Sequence, residues 1–227
     1  KAEAGKAATD KTGIPGLPTE KEQVSYTIGM AMGKQLSEIK GEVNIDTVVK
    51  ALRTQMAGEK VLVTDEQAQK IMKDFGQKMQ AKQLAKMMEE GKTNMEKGEK
   101  FLAENAKKPG VVTTESGLQY QVVSEGKGPK PGAGDAVKVK YKGTLLDGKE
   151  FDSTEAHGGE PAVLPLDRVI PGWSEGIRLM PVGSKYKFWI PSNLGYGEQV
   201  PPGAPFPPNA TLVFEVELLD IVKAPKN

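Results

Sequence analysis

Apolar residues recur at helical spacing through the first half of the chain and alternate with polar ones through the second. Val24, Ile28, Met32 and Leu36 stand four apart and predict a helix over about residues 20–39. A second, short helix is predicted after Asp46, a candidate cap. It carries Val48, Val49, Leu52 and Met56 and ends at Gly58. Thr64-Asp65-Glu66-Gln67 reads as a capping box opening a third helix. No proline interrupts it before Pro109, so it runs for about 45 residues, or about 65 Å at 1.5 Å per residue. Gly76, Gly91 and Gly98 each weaken it by up to about 1 kcal/mol. Ile71, Met72, Phe75, Met79, Leu84, Met87 and Met88 make its first part apolar. From Glu89 to Lys100 it is almost wholly polar, which predicts a solvated stalk.

The second half has period two. Val137, Val139 and Tyr141 alternate with lysines. Tyr186, Phe188 and Ile190 share a face opposite Lys185, Lys187 and Trp189. Leu212, Phe214, Val216 and Leu218 share a face opposite Glu215 and Glu217. These predict half-buried antiparallel strands, with Leu118–Val123 a weaker fourth. Asp147-Gly148 is a turn signal. Only Trp173–Met180, after Pro171-Gly172, reads as helical here. Tyr196–Pro208 is a loop too rich in proline for regular structure.

Composition sharpens this division. Between Pro18 and Pro109 there is no proline, and every methionine except Met180 precedes residue 100. The boundary is therefore expected at Lys107-Lys108-Pro109-Gly110. Residues 1–19 would be a flexible segment and residues 20–109 an all-α domain with a long stalk helix. Residues 110–227 would form an antiparallel β-sheet wrapped around a short α-helix, giving an α+β fold overall. So small a helical core, rich in adaptable methionine, also suits a partner interface.

Charge and residue usage remove several kinds of function. Lys and Arg total 31 against 30 Asp and Glu, a net charge of +1, so no global field favours nucleic acid. There is no cysteine, and His157 is the only histidine. Disulfide scaffolds, cysteine-based metal sites and thiol nucleophiles are excluded, and a histidine-dependent metal or triad has one residue to draw on. No apolar run approaches the roughly 20 residues that cross a bilayer. Lys1–Lys11 is small, polar and without an initiator methionine, which suggests the front of a processed, exported chain.

Candidate chemistry is sparse. Asp152 beside Phe151 could be a general acid in an apolar setting, but no second carboxylate is placed to share the work, and a structural, hydrogen-bonded Asp is the simpler reading. His157, in a Glu-Ala-His-Gly-Gly stretch, reads as an exposed loop residue. The lysines at 138, 140 and 142 read as the solvated face of a strand. What remains is a set of aromatic and apolar residues at strand ends and loops, Tyr196 and Phe206 among them, which suit the lining of a pocket.

Four ordered blocks then carry a resemblance. They are Tyr141-Lys-Gly-Thr-Leu with Asp-Gly-Lys-Glu-Phe151-Asp152-Ser, Val169-Ile170-Pro-Gly-Trp173-Ser-Glu-Gly, Ile190-Pro-Ser-Asn-Leu-Gly-Tyr196-Gly, and Pro207-Pro-Asn-Ala-Thr-Leu-Val-Phe214-Glu-Val-Glu-Leu-Leu. Residues 111–223 resemble the FKBP-type peptidyl-prolyl cis-trans isomerases. Tyr26-Thr-Ile-Gly-Met-Ala-Met-Gly-Lys and the long third helix resemble the two-domain bacterial subgroup typified by Mip and FkpA. The resemblance implies a catalytic set of Tyr141, Phe151, Asp152, Ile170, Trp173 and Tyr196, with Trp173 as pocket floor. It implies that the Ile170 N–H and the Tyr196 hydroxyl bind the substrate, and that Val169, Ala162, Phe206 and Phe214 line its place. Ala162 stands where the family commonly has an aromatic, and the loop before Pro207 is longer than usual.

The resemblance further implies a rotamase that needs no cofactor and no metal. Its partners would be proline-containing polypeptides, macrolide inhibitors of the rapamycin type and a second copy paired through the N-terminal helices, with no nucleic acid. A periplasmic or outer-membrane-associated location and chaperone character follow from the same likeness. The competing readings are an FKBP-like binding module without catalysis and a holdase chaperone.

Overall fold

The computed structural model describes residues 13–201 and 203–223. The segment expected to be flexible at the start lies outside them as far as residue 12. The chain divides into two compact units, Lys1–Lys73 and Asp74–Asn227, so the division falls inside the long helix.

The first unit is helical. Helix α1 spans Glu20–Ser37 and opens on a capping box. Glu22 N donates to Thr19 Oγ1 at 3.2 Å, and Thr19 N donates back to Glu22 Oε2 at 3.1 Å. Helix α2 spans Ile45–Met56. Its cap is Asn44, whose Oδ1 accepts from Thr47 N at 3.0 Å, and not Asp46. Asp46 sits one step inside, where its charge complements the helix dipole. Gly58 follows the helix at φ 69°, a conformation that favours glycine. Helix α3, Asp65–Asn105, opens as predicted. Gln67 N donates to Thr64 Oγ1 at 3.1 Å, and Thr64 N donates to Gln67 Oε1 at 3.0 Å. None of the described residues of this unit is buried. Val24, Ile28, Met30, Leu52, Met56 and Ile71 are all exposed.

The second unit holds the remainder of α3 and one antiparallel sheet. Its strands are β1 (Val111–Thr113), β2 (Gln119–Ser124), β3 (Ala136–Thr144), β4 (Glu150–Ser153), β5 (Ala162–Pro165), β6 (Lys185–Ile190) and β7 (Leu212–Val222). They lie in the order β1-β2-β6-β7-β3-β4, while β5 pairs with the first part of β3. The short strands β1, β4 and β5 carry too few alternations to be read in the sequence. The short helix α4 spans Pro171–Ile177, starting two residues before the predicted position because Pro171 fits the first helical turn. The fold is thus α+β, with a helical N-terminal region, one long helix and an antiparallel sheet.

The core lies between one sheet face and α4. Val137, Val139, Phe188, Ile190, Leu212, Val216 and Leu218 meet Trp173 and Ile177 there. Two glycines let α4 approach. A Cβ on Gly172 would stand 2.6 Å from Ile190 Cγ2, and one on Gly176 2.6 Å from Phe188 Cε1. On the other face, register sets Lys185 and Lys140 on either side of Glu217, and Lys187 and Lys142 on either side of Glu215. These rows account for the lysines of β3 as surface partners of an acidic strand.

Two expectations fail together. Trp189 was placed on the solvated face, yet it is 6 % exposed. The polar stretch Glu89–Lys100 of α3 predicts a helix solvated all round, yet Gly91 and Gly98 within it are buried, as is Asn105 beyond it. One arrangement explains Trp189 and Asn105. Gln119 pairs with Trp189 in register; its Nε2 donates to Leu102 O at 2.8 Å and its Oε1 accepts from Asn105 Nδ2 at 2.9 Å. The end of α3 therefore covers this sheet face. Gly91 is buried against Pro208 and Asn209 and Gly98 against Thr211, contacts that hydropathy patterns miss because glycine has no side chain to register as apolar.

Gly98 and Gly76 should respond oppositely to substitution. A Cβ on Gly98 would collide with Thr211 Oγ1, whereas Gly76 has nothing within 4 Å. Gly76→Ala should stabilise the chain by about 0.5–1 kcal/mol, and Gly98→Ala should destabilise it. Urea unfolding of both variants checks this, and equal stabilisation would mean that α3 does not seat on the sheet at Gly98.

Candidate active site

The sheet, α4 and the loops at their ends enclose a cavity of about 260 Å³. Its floor is Trp173, 5 % exposed, at the first turn of α4. The indole Nε1 is buried without a hydrogen-bond partner among the described residues. Tyr141 from β3 meets Trp173 edge-on at 5.0 Å, and Phe214 from β7 meets it at 5.1 Å. Gly143 makes room for this packing. A Cβ there would stand 2.6 Å from Phe214 Cε1 and 2.8 Å from Phe151 Cζ. Val169 and Ile170 lead into α4 and line the cavity. The Ile170 carbonyl accepts from Trp173 N and Ser174 N, while its own N–H has no acceptor among the described residues.

The polar side of the cavity centres on Asp152, placed by the pairing of β4 with β3 at Gly143. Its Oδ2 accepts from the Tyr141 hydroxyl at 2.9 Å, and its Oδ1 accepts from Ser153 N at 2.9 Å. The His157 Nε2 lies 2.8 Å from the same Oδ1. His157 is exposed, as expected of a loop histidine, but it is also a partner of Asp152. Burial, and then the hydrogen bond to Asp152, push the Tyr141 hydroxyl up to about 12. Burial and the charge of Asp152 also raise the Tyr196 hydroxyl. Both phenols therefore remain protonated donors through the neutral range.

Of the residues singled out in the sequence, Tyr141, Asp152, Val169, Ile170, Trp173, Tyr196 and Phe214 line this one cavity. Phe151 and Phe206 stand beside it in a ring stack. Phe151 meets Phe214 at 5.4 Å and Phe206 at 5.9 Å, and Phe206 lies flat on Tyr196 at 4.0 Å. Ala162 is half-buried on β5 opposite Val139 and does not line the cavity; Leu164, two residues on along the same strand face, does. Neither Leu164 nor Arg168, which also lines the cavity, is marked by a motif or a periodic pattern in the sequence. Among the described residues no cluster of three metal-ligating side chains occurs, and no helix is long and apolar enough to cross a membrane.

The chain that builds this antiparallel sheet, short helix and aromatic cavity matches known families. Residues 21–122 match the domain amino-terminal to FKBP-type peptidyl-prolyl isomerase, and residues 128–219 match FKBP-type peptidyl-prolyl cis-trans isomerase itself. The chain belongs to the FKBP-type peptidyl-prolyl cis-trans isomerase family.

Within that family it is 40 % identical over 218 residues to the outer membrane protein MIP of Legionella longbeachae, covering 96 % of this chain and 91 % of that one. It is 46 % identical over 209 residues to the probable FKBP-type isomerase FkpA of Neisseria meningitidis serogroup B, covering 91 % and 76 % respectively. The crystal structure of FkpA from Escherichia coli superposes with a TM-score of 0.76 at 37 % identity, over 91 % of this chain and 99 % of that one.

Proposed function

We propose that this isomerase acts on X-Pro bonds of unfolded, exported polypeptides and that the cavity around Trp173 is where it does so. The observation that carries the reading is the pairing of an apolar aromatic cradle with two lining donors that have no acceptor among the described residues, the Ile170 N–H and the Tyr196 hydroxyl. Resonance holds a peptide bond planar against a barrier of about 18–20 kcal/mol. Twisting it removes the charge separation of the planar amide, so a dry cradle makes twisting less costly than it is in water. In our reading the Ile170 N–H and the Tyr196 hydroxyl hold substrate carbonyls in geometries best fitted to that state, which lowers the barrier by differential binding. Asp152 fixes the Tyr141 ring against Trp173. Val169, Phe151, Phe206 and Phe214 exclude water. Residues 110–227 carry this chemistry.

The helical residues 20–109 we assign to pairing two copies of the chain. The reading is supported by a first unit without one buried residue among those described. Joining two such units would cover Ile28, Met32, Leu52 and Met56. A paired isomerase that holds unfolded chains would also act as a chaperone. An exported, periplasmic or outer-membrane-associated location rests on the likeness to the Legionella outer membrane protein.

The test is an isomerisation assay of the full chain on a short X-Pro peptide, with and without a macrolide of the rapamycin type. Acceleration that the macrolide abolishes is expected. Relaxation only at the uncatalysed rate, over tens to hundreds of seconds, would refute the proposal.

A further inference from the structure

The loop between Tyr196 and Asn209 carries two of the rings beside the cavity, Tyr196 and Phe206. Its base is closed by Asn209 N, which donates to Gly197 O at 2.9 Å. Asn209 is the one non-glycine residue with positive φ, 54°, among those described. Asparagine tolerates this left-handed conformation better than most residues. There its side chain reaches α3, where Nδ2 donates to Gly91 O at 3.2 Å. Three residues along the same helix, Asn94 Nδ2 donates to Pro208 O at 2.9 Å. The near end of the loop is tied as well. Ser192 Oγ donates to Met95 Sδ at 3.9 Å, and Ser192 O accepts from Gly195 N and Gly197 N. A Cβ on Gly91 would stand 3.3 Å from Asn209 Nδ2 and 3.7 Å from Pro208 Cβ, so an added methyl would press on the Asn209 side chain.

These ties join a regular helix to both ends of an irregular loop. Without them the loop would have many conformations that withdraw Tyr196 and Phe206 from the cavity. We infer that Gly91, Asn94 and Asn209 are positioning residues for isomerisation: α3 clamps the loop and so sets the binding side of the site. This rests on the reading that Tyr196 belongs to the catalytic site. A loosened loop lowers the fraction of molecules competent to bind, and apparent affinity falls in proportion. Once substrate has ordered the rings, the rate constant of the bound complex is nearly unchanged.

The test uses the full chain and a short X-Pro peptide. Asn209→Asp keeps the size and the left-handed backbone but replaces the donor to Gly91 O by an acceptor. KM should rise about three- to tenfold with kcat within about twofold, and adding Asn94→Ala should raise KM further. Gly91→Ala disturbs the same contact from the helix side, so it should raise KM alone and add little on top of Asn209→Asp. An unchanged KM in Asn209→Asp, or a change confined to kcat or to thermal stability, would overturn the clamp. Tyr196→Phe in the same assay separates the two ideas. If it slows isomerisation while Asn209→Asp does not, only the clamp fails; if Tyr196→Phe is itself inert, the reading of the site fails and the clamp with it.

Discussion

Asp152→Ala will slow isomerisation of a short X-Pro peptide by about 10- to 100-fold, or about 1.4–2.7 kcal/mol of barrier, while leaving the chain folded. The carboxylate holds the Tyr141 hydroxyl at 2.9 Å, and Tyr141 in turn presses edge-on against Trp173 at 5.0 Å. Without Asp152 the half-buried phenol loses its acceptor and the wall of the cradle loosens, but the cradle survives. Tyr196→Phe should give a similar partial loss. The pH dependence separates this from proton transfer. Tyr141 ionises only at about 12, and Tyr196 is raised as well, so neither phenol should give the rate a pH dependence between about pH 6 and 9. The stability linked to Tyr141 has the corresponding sign. Its folded pKa lies above the unfolded value of 10.0, so that contribution is complete below about pH 10 and is lost as pH rises towards 12. Activity falling to the uncatalysed rate in a folded Asp152→Ala protein, with a bell-shaped profile in the wild type, would point to acid–base chemistry instead.

The second large effect concerns the helical unit. Ile28 is 56 % exposed and Leu52 39 % exposed, each on a helix that buries none of its own residues. Charge placed there costs a lone chain little and a paired one much, because a carboxylate would be trapped between apolar faces. Ile28→Asp with Leu52→Asp should shift the sedimenting mass from twice 24.4 kDa to 24.4 kDa. Activity on a short peptide should stay unchanged. On an unfolded protein substrate the advantage should fall by up to about 100-fold, since a second site on the same assembly acts through effective concentration. A wild-type mass of one chain at micromolar concentration would refute the pairing. An unchanged advantage in the monomer would refute the shared action of two sites.

Much of the architecture was legible because its signals are periodic. The Thr64–Gln67 box fixed the start of α3, and strict alternation marked β3, β6 and β7. The residues around the cavity were legible only through the family resemblance carried by the blocks around Asp152, Ile170, Trp173 and Tyr196; read alone, those residues marked no more than aromatic loops and a hydrogen-bonded Asp. What escaped were relations between distant segments. Trp189 looked solvated because its cover comes from Leu102 and Asn105 on another element. His157 looked idle because its partnership with Asp152 depends on the turn between them. Gly91 and Gly98 looked like weak points in a helix because a sequence does not show what a missing side chain makes room for.

That cover has a consequence for the portability of the catalytic module. Excision at Val111, where the sheet begins, would strip away Leu102 and Asn105 and expose the face carrying Trp189 and Gln119. Grafted onto another carrier, such a fragment would present a fresh sticky surface before it met any client. A transplant that begins upstream of Gly91 would bring its own lid. The unit that could be shuffled between proteins, in the laboratory or in evolution, is therefore a sheet with a length of helix attached rather than the sheet alone.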